Sequence, residues 1–200
     1  MERLFRKTPA QKRALGLLAG TSRYVLLFGG SRSGKTFILV YALLVRALRA
    51  PGSRHAILRL HANAVRQSVL LDTLPKVAKL AFPGLRFAES ARDQFVRLPN
   101  RSEIWFGGLD TGERADKILG KEFSTVYFNE CSEIDYEAVN TALTRLAQKT
   151  ELVNKAYFEA VLYQASVGKP LMIGEFNWYG GGGLEVQGFW QLPAKPVEHQ

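Results

Sequence analysis

The stretch that most restricts what this chain can fold into is Gly29-Gly30-Ser31-Arg32-Ser33-Gly34-Lys35-Thr36, which satisfies the spacing G-x-x-x-x-G-K-[ST]. Ahead of it, Tyr24-Val25-Leu26-Leu27-Phe28 is short and apolar, as a strand buried in a parallel sheet must be. After it, Phe37 to Val45 stays apolar at helical length. Strand, glycine-rich turn and helix in that order form the setting of a phosphate-binding loop. Glycines let successive backbone N–H groups converge on one anion, and the start of the helix adds partial positive charge there. In such a loop Lys35 reaches the β- and γ-phosphates of a nucleotide, and the Thr36 hydroxyl ligates Mg2+. The plainer alternative is a glycine turn before an ordinary helix, which requires the whole pattern and its flanks to coincide by chance.

Two hundred residues, 46% hydrophobic and 22% charged, fit one globular domain with a small appendage. The longest apolar run is interrupted at Arg46 and falls short of a membrane span, and the charged start Met1 to Lys7 lacks the apolar core of a signal peptide. One cysteine, Cys131, allows no internal disulfide and no cysteine zinc cluster, and His55, His61 and His199 lack metal-ligand spacing. A cytoplasmic setting is expected. Residues 1–155 carry 25 Lys and Arg against 14 Asp and Glu, whereas residues 156–200 carry 2 against 4. A basic body suits a polyanionic partner, although basic surfaces also occur without one.

Taken in order, Thr8 caps a helix that begins at Pro9 and carries Gln11, Ala14, Leu15, Leu17 and Leu18. Gln11, shortly ahead of the loop strand, has an amide able to read an adenine edge, though a surface glutamine is the commoner role. His55 to Leu60 reads as a second strand, Asn63 to Leu71 as a helix continued by Leu74 to Leu80, and Pro83-Gly84 as a turn. Leu85 to Ala88, Gln94 to Leu98 and Glu103 to Gly107 read as short strands, the last two joined through Asn100-Arg101. Gly108 to Gly120 reads as a loop, Tyr136 to Gln148 as a helix and Leu152 to Phe158 as a further strand.

The second chemical element is Phe123 to Glu130, an apolar strand ending in polar residues. At the end of such a strand an acid helps hold Mg2+ through water, and a following Glu polarises the attacking water. Here the metal-side position is Asn129, an uncharged amide, and Glu130 is the general-base candidate. Glu130, Glu133 and Asp135 also suit a helix N-terminus on charge grounds alone.

Gly29 to Thr36 resembles the arginine-bearing Walker A loop of large terminase subunits, the DNA-packaging ATPases of tailed phages. Ile118-Leu119-Gly120-Lys121-Glu122-Phe123-Ser124-Thr125-Val126-Tyr127-Phe128-Asn129-Glu130 resembles their Walker B segment, with a glycine ahead of the strand. The resemblance covers about residues 8–155. It implies an α/β P-loop ATPase of the ASCE type, with a mostly parallel sheet and helices on both faces. It implies ATP and Mg2+ as cofactors and double-stranded DNA as the translocated partner. It further implies a small terminase subunit, a portal and procapsid, and a ring homo-oligomer in the host cytoplasm, with no membrane. The expected nucleotide contacts are Gly29, Gly30, Ser31, Arg32, Ser33, Gly34, Lys35, Thr36 and Gln11, with Thr36 and Asn129 at the metal. Catalysis is expected of Glu130, Lys35 and Arg32, whose guanidinium suits phosphate oxygens. Asn129 departs from the family's Asp, and no room remains for its C-terminal nuclease, so the chain alone is expected neither to package nor to cut. A helicase-like translocase and a nucleotide-binding fragment without turnover are the alternatives.

Composition shifts near residue 156. No arginine follows Arg145, and 156–200 hold Trp178, Trp190 and seven of 18 glycines. Gly168 to Gly181 resembles the penultimate-strand region of (β/α)8 glycoside hydrolases, with Glu175 at the nucleophile's place. The expectation is an ATPase domain over 1–155 and a fused or frame-joined tail over 156–200, the alternative being a divergent tail with a glycine-rich linker.

Overall fold

The computed structural model describes residues 5–20, 22–90, 93–110 and 118–150, together with the backbone of 171–175 and 184–185. Helix α1 (Pro9–Leu18) opens on a reciprocal cap: the Thr8 hydroxyl accepts from the Gln11 N–H at 3.2 Å, and Gln11 Oε1 accepts from the Thr8 N–H at 3.1 Å. Strand β1 (Tyr24–Gly29) leads into α2 (Lys35–Arg49), which is apolar almost all round and correspondingly buried, packed on α1 and on α4 (Leu74–Ala81). Strand β2 (Arg54–Arg59) follows, then α3 (Ala62–Val65), which runs through a π-helical stretch, Arg66–Thr73, into α4. The sequence suggests an unbroken α-helix there. The wider turns immediately precede Pro75, whose ring would otherwise crowd the carbonyl one turn back.

Strands β3 (Ala88–Ser90), β4 (Phe95–Arg97) and β5 (Glu103–Gly108) form an antiparallel meander. β3 starts later than its apolar pattern suggests, because the turn at Gly84 (φ 85°) hands Leu85 to the Phe82 carbonyl. The β4–β5 turn caps α2 from outside: Asn100 Nδ2 and Ser102 Oγ each donate to the Ala47 carbonyl at 2.8 Å. Strand β6 (Thr125–Phe128) is followed by α5 (Tyr136–Leu143), shorter than expected, because the chain turns back to pair Gln148 N–H with the Phe123 carbonyl. The strand expected over Leu152 to Phe158 lies outside the described residues.

The sheet order is β3-β4-β5-β2-β6-β7-β1-β8, with β5, β2, β6, β7 and β1 mutually parallel. Strand β7 (Leu171–Glu175) lies between β6 and β1, and β8 (Leu184–Glu185) pairs antiparallel with Phe28 and Gly29. Both come from beyond residue 155. The segment that resembles a glycosidase barrel strand is thus a strand of this open sheet, flanked by residues 24–27 and 125–128, and nothing supports a barrel. Its run Leu171-Met172-Ile173 after Pro170 suits a central parallel strand, a property that composition alone does not report.

Side chains alternate between two cores. Ile57, Ile104, Phe106 and Tyr127 join α1, α2 and α4 on one face. Ala56, Leu58, Trp105, Val126 and Phe128 meet Phe123, Ile134 and Ala142 on the other. Beneath α2 lies a polar pocket in which the buried His55 shares hydrogen-bond contacts with Ser53 Oγ (2.8 Å) and Ser124 Oγ (3.5 Å). Burial, and secondarily the Arg46 charge, pushes the His55 pKa down to about 3.

Candidate active site

The Gly29–Thr36 loop sits between the end of β1 and the start of α2, as its flanks predict. Gly29 (φ 140°) and Gly34 (φ 85°) take the backbone through positive φ, which a side chain would oppose. Gly34 is also the N-cap of α2 and carries no side chain, so the first N–H groups of a 15-residue helix face the loop without a side-chain cap. Lys35 is 2% exposed, and its ammonium donates to the carbonyls of Gly29 (3.1 Å) and Gly30 (2.9 Å) and to Ser33 Oγ (3.2 Å). The loop is curled around the Lys35 ammonium. Thr36 follows in the first turn of α2, half-buried. Ser31 and Arg32 form the exposed tip, Arg32 at φ 60°, a conformation costing about 1–2 kcal/mol in an L-residue.

Gln11 is brought to the loop. Its carbonyl caps α1 at Thr8, and Nε2 lies 2.8 Å from the position a Cβ on Gly34 would occupy. The side chain that caps α1 thus also stands beside Gly34 of the loop, an approach that spacing alone does not reveal.

Level across the sheet, Leu26 of β1, Gly174 of β7 and Phe128 of β6 share one register. One strand separates the loop strand from the strand of Asn129 and Glu130, so their ends stand about 10 Å apart on the same edge. Asn129 is 3% exposed; its N–H donates to the Leu58 carbonyl at 2.8 Å and its Nδ2 to the Tyr127 hydroxyl at 3.2 Å. Tyr127 thus orients the Asn129 amide, a relation visible in the sequence only as i, i+2 along one strand face. Glu130 is half-buried in a left-handed conformation (φ 54°, ψ 51°) and leads into a 3-10 turn, Cys131–Glu133. Glu133, an acid counted with Glu130 in the sequence, is turned to Arg59 at the end of β2, with contacts of 3.3 and 3.4 Å.

Among the described residues no group of three or more His, Cys, Asp or Glu converges as a metal cage. The oxygen-bearing side chains expected at a metal, Thr36 and Asn129, are a hydroxyl and an amide on the same strand-end edge, a set that suits Mg2+ only where phosphate oxygens and water complete its shell.

Residues 26–156 match the family model described as terminase large subunit, T4likevirus-type, N-terminal. No curated protein matches the chain. Among solved structures it resembles the large terminase from a thermophilic bacteriophage, at 15% identity and TM-score 0.66, over 86% of this chain and 39% of that one. The same terminase in complex with ADP aligns at 15% identity and TM-score 0.61, over 86% and 38%. The large terminase ATPase domain of Thermus phage P74-26 aligns at 14% identity and TM-score 0.50, over 86% and 81%. The chain spans about two fifths of the first of these terminases. With the loop strand, the intervening strand and the Asn129 strand in this order, and with the family model matched over most of its length, the chain belongs to the terminase large subunits, over their N-terminal region and with the fold of their ATPase domains.

Proposed function

We propose that this chain binds ATP at the Gly29–Thr36 loop and hydrolyses it to drive double-stranded DNA movement. The observation that carries the reading is the shared sheet edge, where a cation-lined loop faces Asn129 and Glu130 across one strand. The loop N–H groups and the start of α2 hold the phosphates, while Lys35 exchanges the Gly29 and Gly30 carbonyls for β- and γ-phosphate oxygens. Thr36 Oγ1 and the Asn129 amide oxygen are the groups that would hold Mg2+, which when bound neutralises developing phosphate charge. Glu130 takes the proton of the attacking water, and Arg32 stabilises charge on the transferred phosphoryl group.

A small terminase subunit, a portal and procapsid, and a ring of copies in the host cytoplasm complete the proposed setting. It rests on family membership and the basic body; no described helix is long and apolar enough to cross a membrane. A second reading, nucleotide binding without turnover, is favoured by one observation: the buried metal-side group is an amide bearing no charge.

ATP binding and steady-state hydrolysis with Mg2+, with and without duplex DNA, test both. DNA-stimulated turnover that disappears in Lys35→Ala and Glu130→Gln and rises in Asn129→Asp supports the motor. Lys35-dependent binding with no turnover in any variant supports the second reading. No binding at all overturns the site.

A further inference from the structure

We infer that Arg59 and Glu133 form a positioning pair that fixes Glu130 for catalysis. This rests on the reading of Glu130 as the base.

Glu130 occupies a left-handed conformation, which a non-glycine residue keeps only where its surroundings over-determine it. The chain is held on both sides of it. Upstream, the Asn129 N–H is bonded to the Leu58 carbonyl, so β6 stays on the β2 ladder to the last residue before the turn. Downstream, the Glu133 N–H donates to the Glu130 carbonyl at 3.0 Å, and Ile134, 8% exposed, is anchored in the core under β6.

A further constraint on the turn is charged. Arg59 presents Nε and a terminal nitrogen to the two carboxylate oxygens of Glu133, at 3.3 and 3.4 Å. A guanidinium fork on a carboxylate fixes orientation as well as distance. The Arg59 backbone is rigid: it is the last β2 residue, paired with Gly108 of β5, and its carbonyl accepts from the Leu109 N–H at 2.9 Å. Arg59 is 21% exposed and Glu133 47%, so the pair is worth little as a stabiliser and fits better as a geometric clamp. The clamp ties the turn after β6 to the end of β2.

Hydrogen exchange on the full chain, with Arg59→Ala, Glu133→Gln and the reciprocal swap Arg59→Glu with Glu133→Arg, reads the clamp without needing turnover. Exchange across 130–134 should speed up about twofold to fivefold in either single variant and recover in the swap, with the exchange of the Gly29–Thr36 loop unchanged. ADP–aluminium fluoride, which mimics the transferring phosphoryl group, should lose affinity by a similar factor in the single variants while ADP alone does not. Unchanged exchange in both single variants, or no recovery in the swap, overturns the pair. Glu130→Gln separates the two readings: if it leaves ADP–aluminium fluoride affinity at the parental level, Glu130 is not the base, whatever the exchange data show.

Discussion

The Lys35 ammonium lies 2.9 Å from the Gly30 carbonyl oxygen, inside the loop it is meant to serve. A buried ammonium bonded to two carbonyls and a hydroxyl holds the loop curled, and the same hydrogens are the ones phosphate oxygens require. Lys35→Ala should therefore act twice. ATP affinity should fall about ten- to hundredfold, the worth of charge-assisted hydrogen bonds at about 1.5–3 kcal/mol. Protease cleavage at the exposed Ser31-Arg32 tip should also become faster in the absence of nucleotide. Calorimetric titration and timed trypsin digestion check the two effects; loss of affinity with an unaltered tip would show that the carbonyl contacts do not hold the loop.

Gly34→Ala probes the close approach of Gln11 to the loop. The new methyl would lie 2.8 Å from Gln11 Nε2, and the residue would be forced to φ 85°. The conformation alone costs about 1–2 kcal/mol, and moving Gln11 strains the cap it forms with Thr8. The melting temperature should drop by about 2–8 °C. Gln11→Ala in the same chain should recover only part, since it removes the collision and not the φ cost. Full recovery would mean that the collision is the whole effect.

Much of this was legible in the residues. The loop, its strand and its helix follow from one motif with its flanks, and the helix cap at Thr8 from a single tetrad. The two-faced sheet is written in the alternation Ala56-Ile57-Leu58 and Val126-Tyr127-Phe128, although such runs do not say which neighbour each strand takes. Pairing of β1 with β7 joins Tyr24 to Met172, residues far apart in the chain, and composition, which set 156–200 aside, carries no information on it. The approach of Gln11 to Gly34 and the Arg59–Glu133 contact are likewise long-range side-chain events that spacing does not encode.

His55 makes stability depend on pH. Its pKa in the fold is about 3 against 6.5 when unfolded, so the unfolded state binds the proton first. The stabilising effect of keeping it neutral is complete above pH 6.5 and is lost as pH falls from there towards 3. The slope is about 1.4 kcal/mol per pH unit, or about 2 kcal/mol between about pH 7 and pH 5, a range in which ordinary carboxylates contribute little. Urea unfolding at these two pH values measures it. His55→Gln, which keeps a hydrogen-bonding group beside Ser53, should remove most of the difference; an equal difference in parent and variant would assign it to other groups.

The strand order makes a prediction about the segment after residue 155. β1, which carries the loop, hydrogen-bonds to β7 and β8, and both lie in that segment. Deleting residues 156–200 would leave β1 without either neighbour and remove the strand that separates Lys35 from Asn129. Backbone groups buried in a parallel sheet do not remain unpaired cheaply, and the exposed edges of β1 and β6 would invite association. A chain of residues 1–155 should therefore be aggregation-prone and should lose ATP binding together with its cooperative thermal transition. An independent ATPase domain ending at residue 155 predicts the opposite: a soluble monomer with parental ATP affinity. Size-exclusion chromatography and calorimetry on the two lengths of chain decide between them. The single substitution Ile173→Pro in the full chain adds an internal check, because proline breaks the ladder of β7 without changing the length of the chain. If the strand is what joins loop to base, Ile173→Pro should reproduce the behaviour of the shortened chain; parental ATP affinity in that variant would detach β7 from the site.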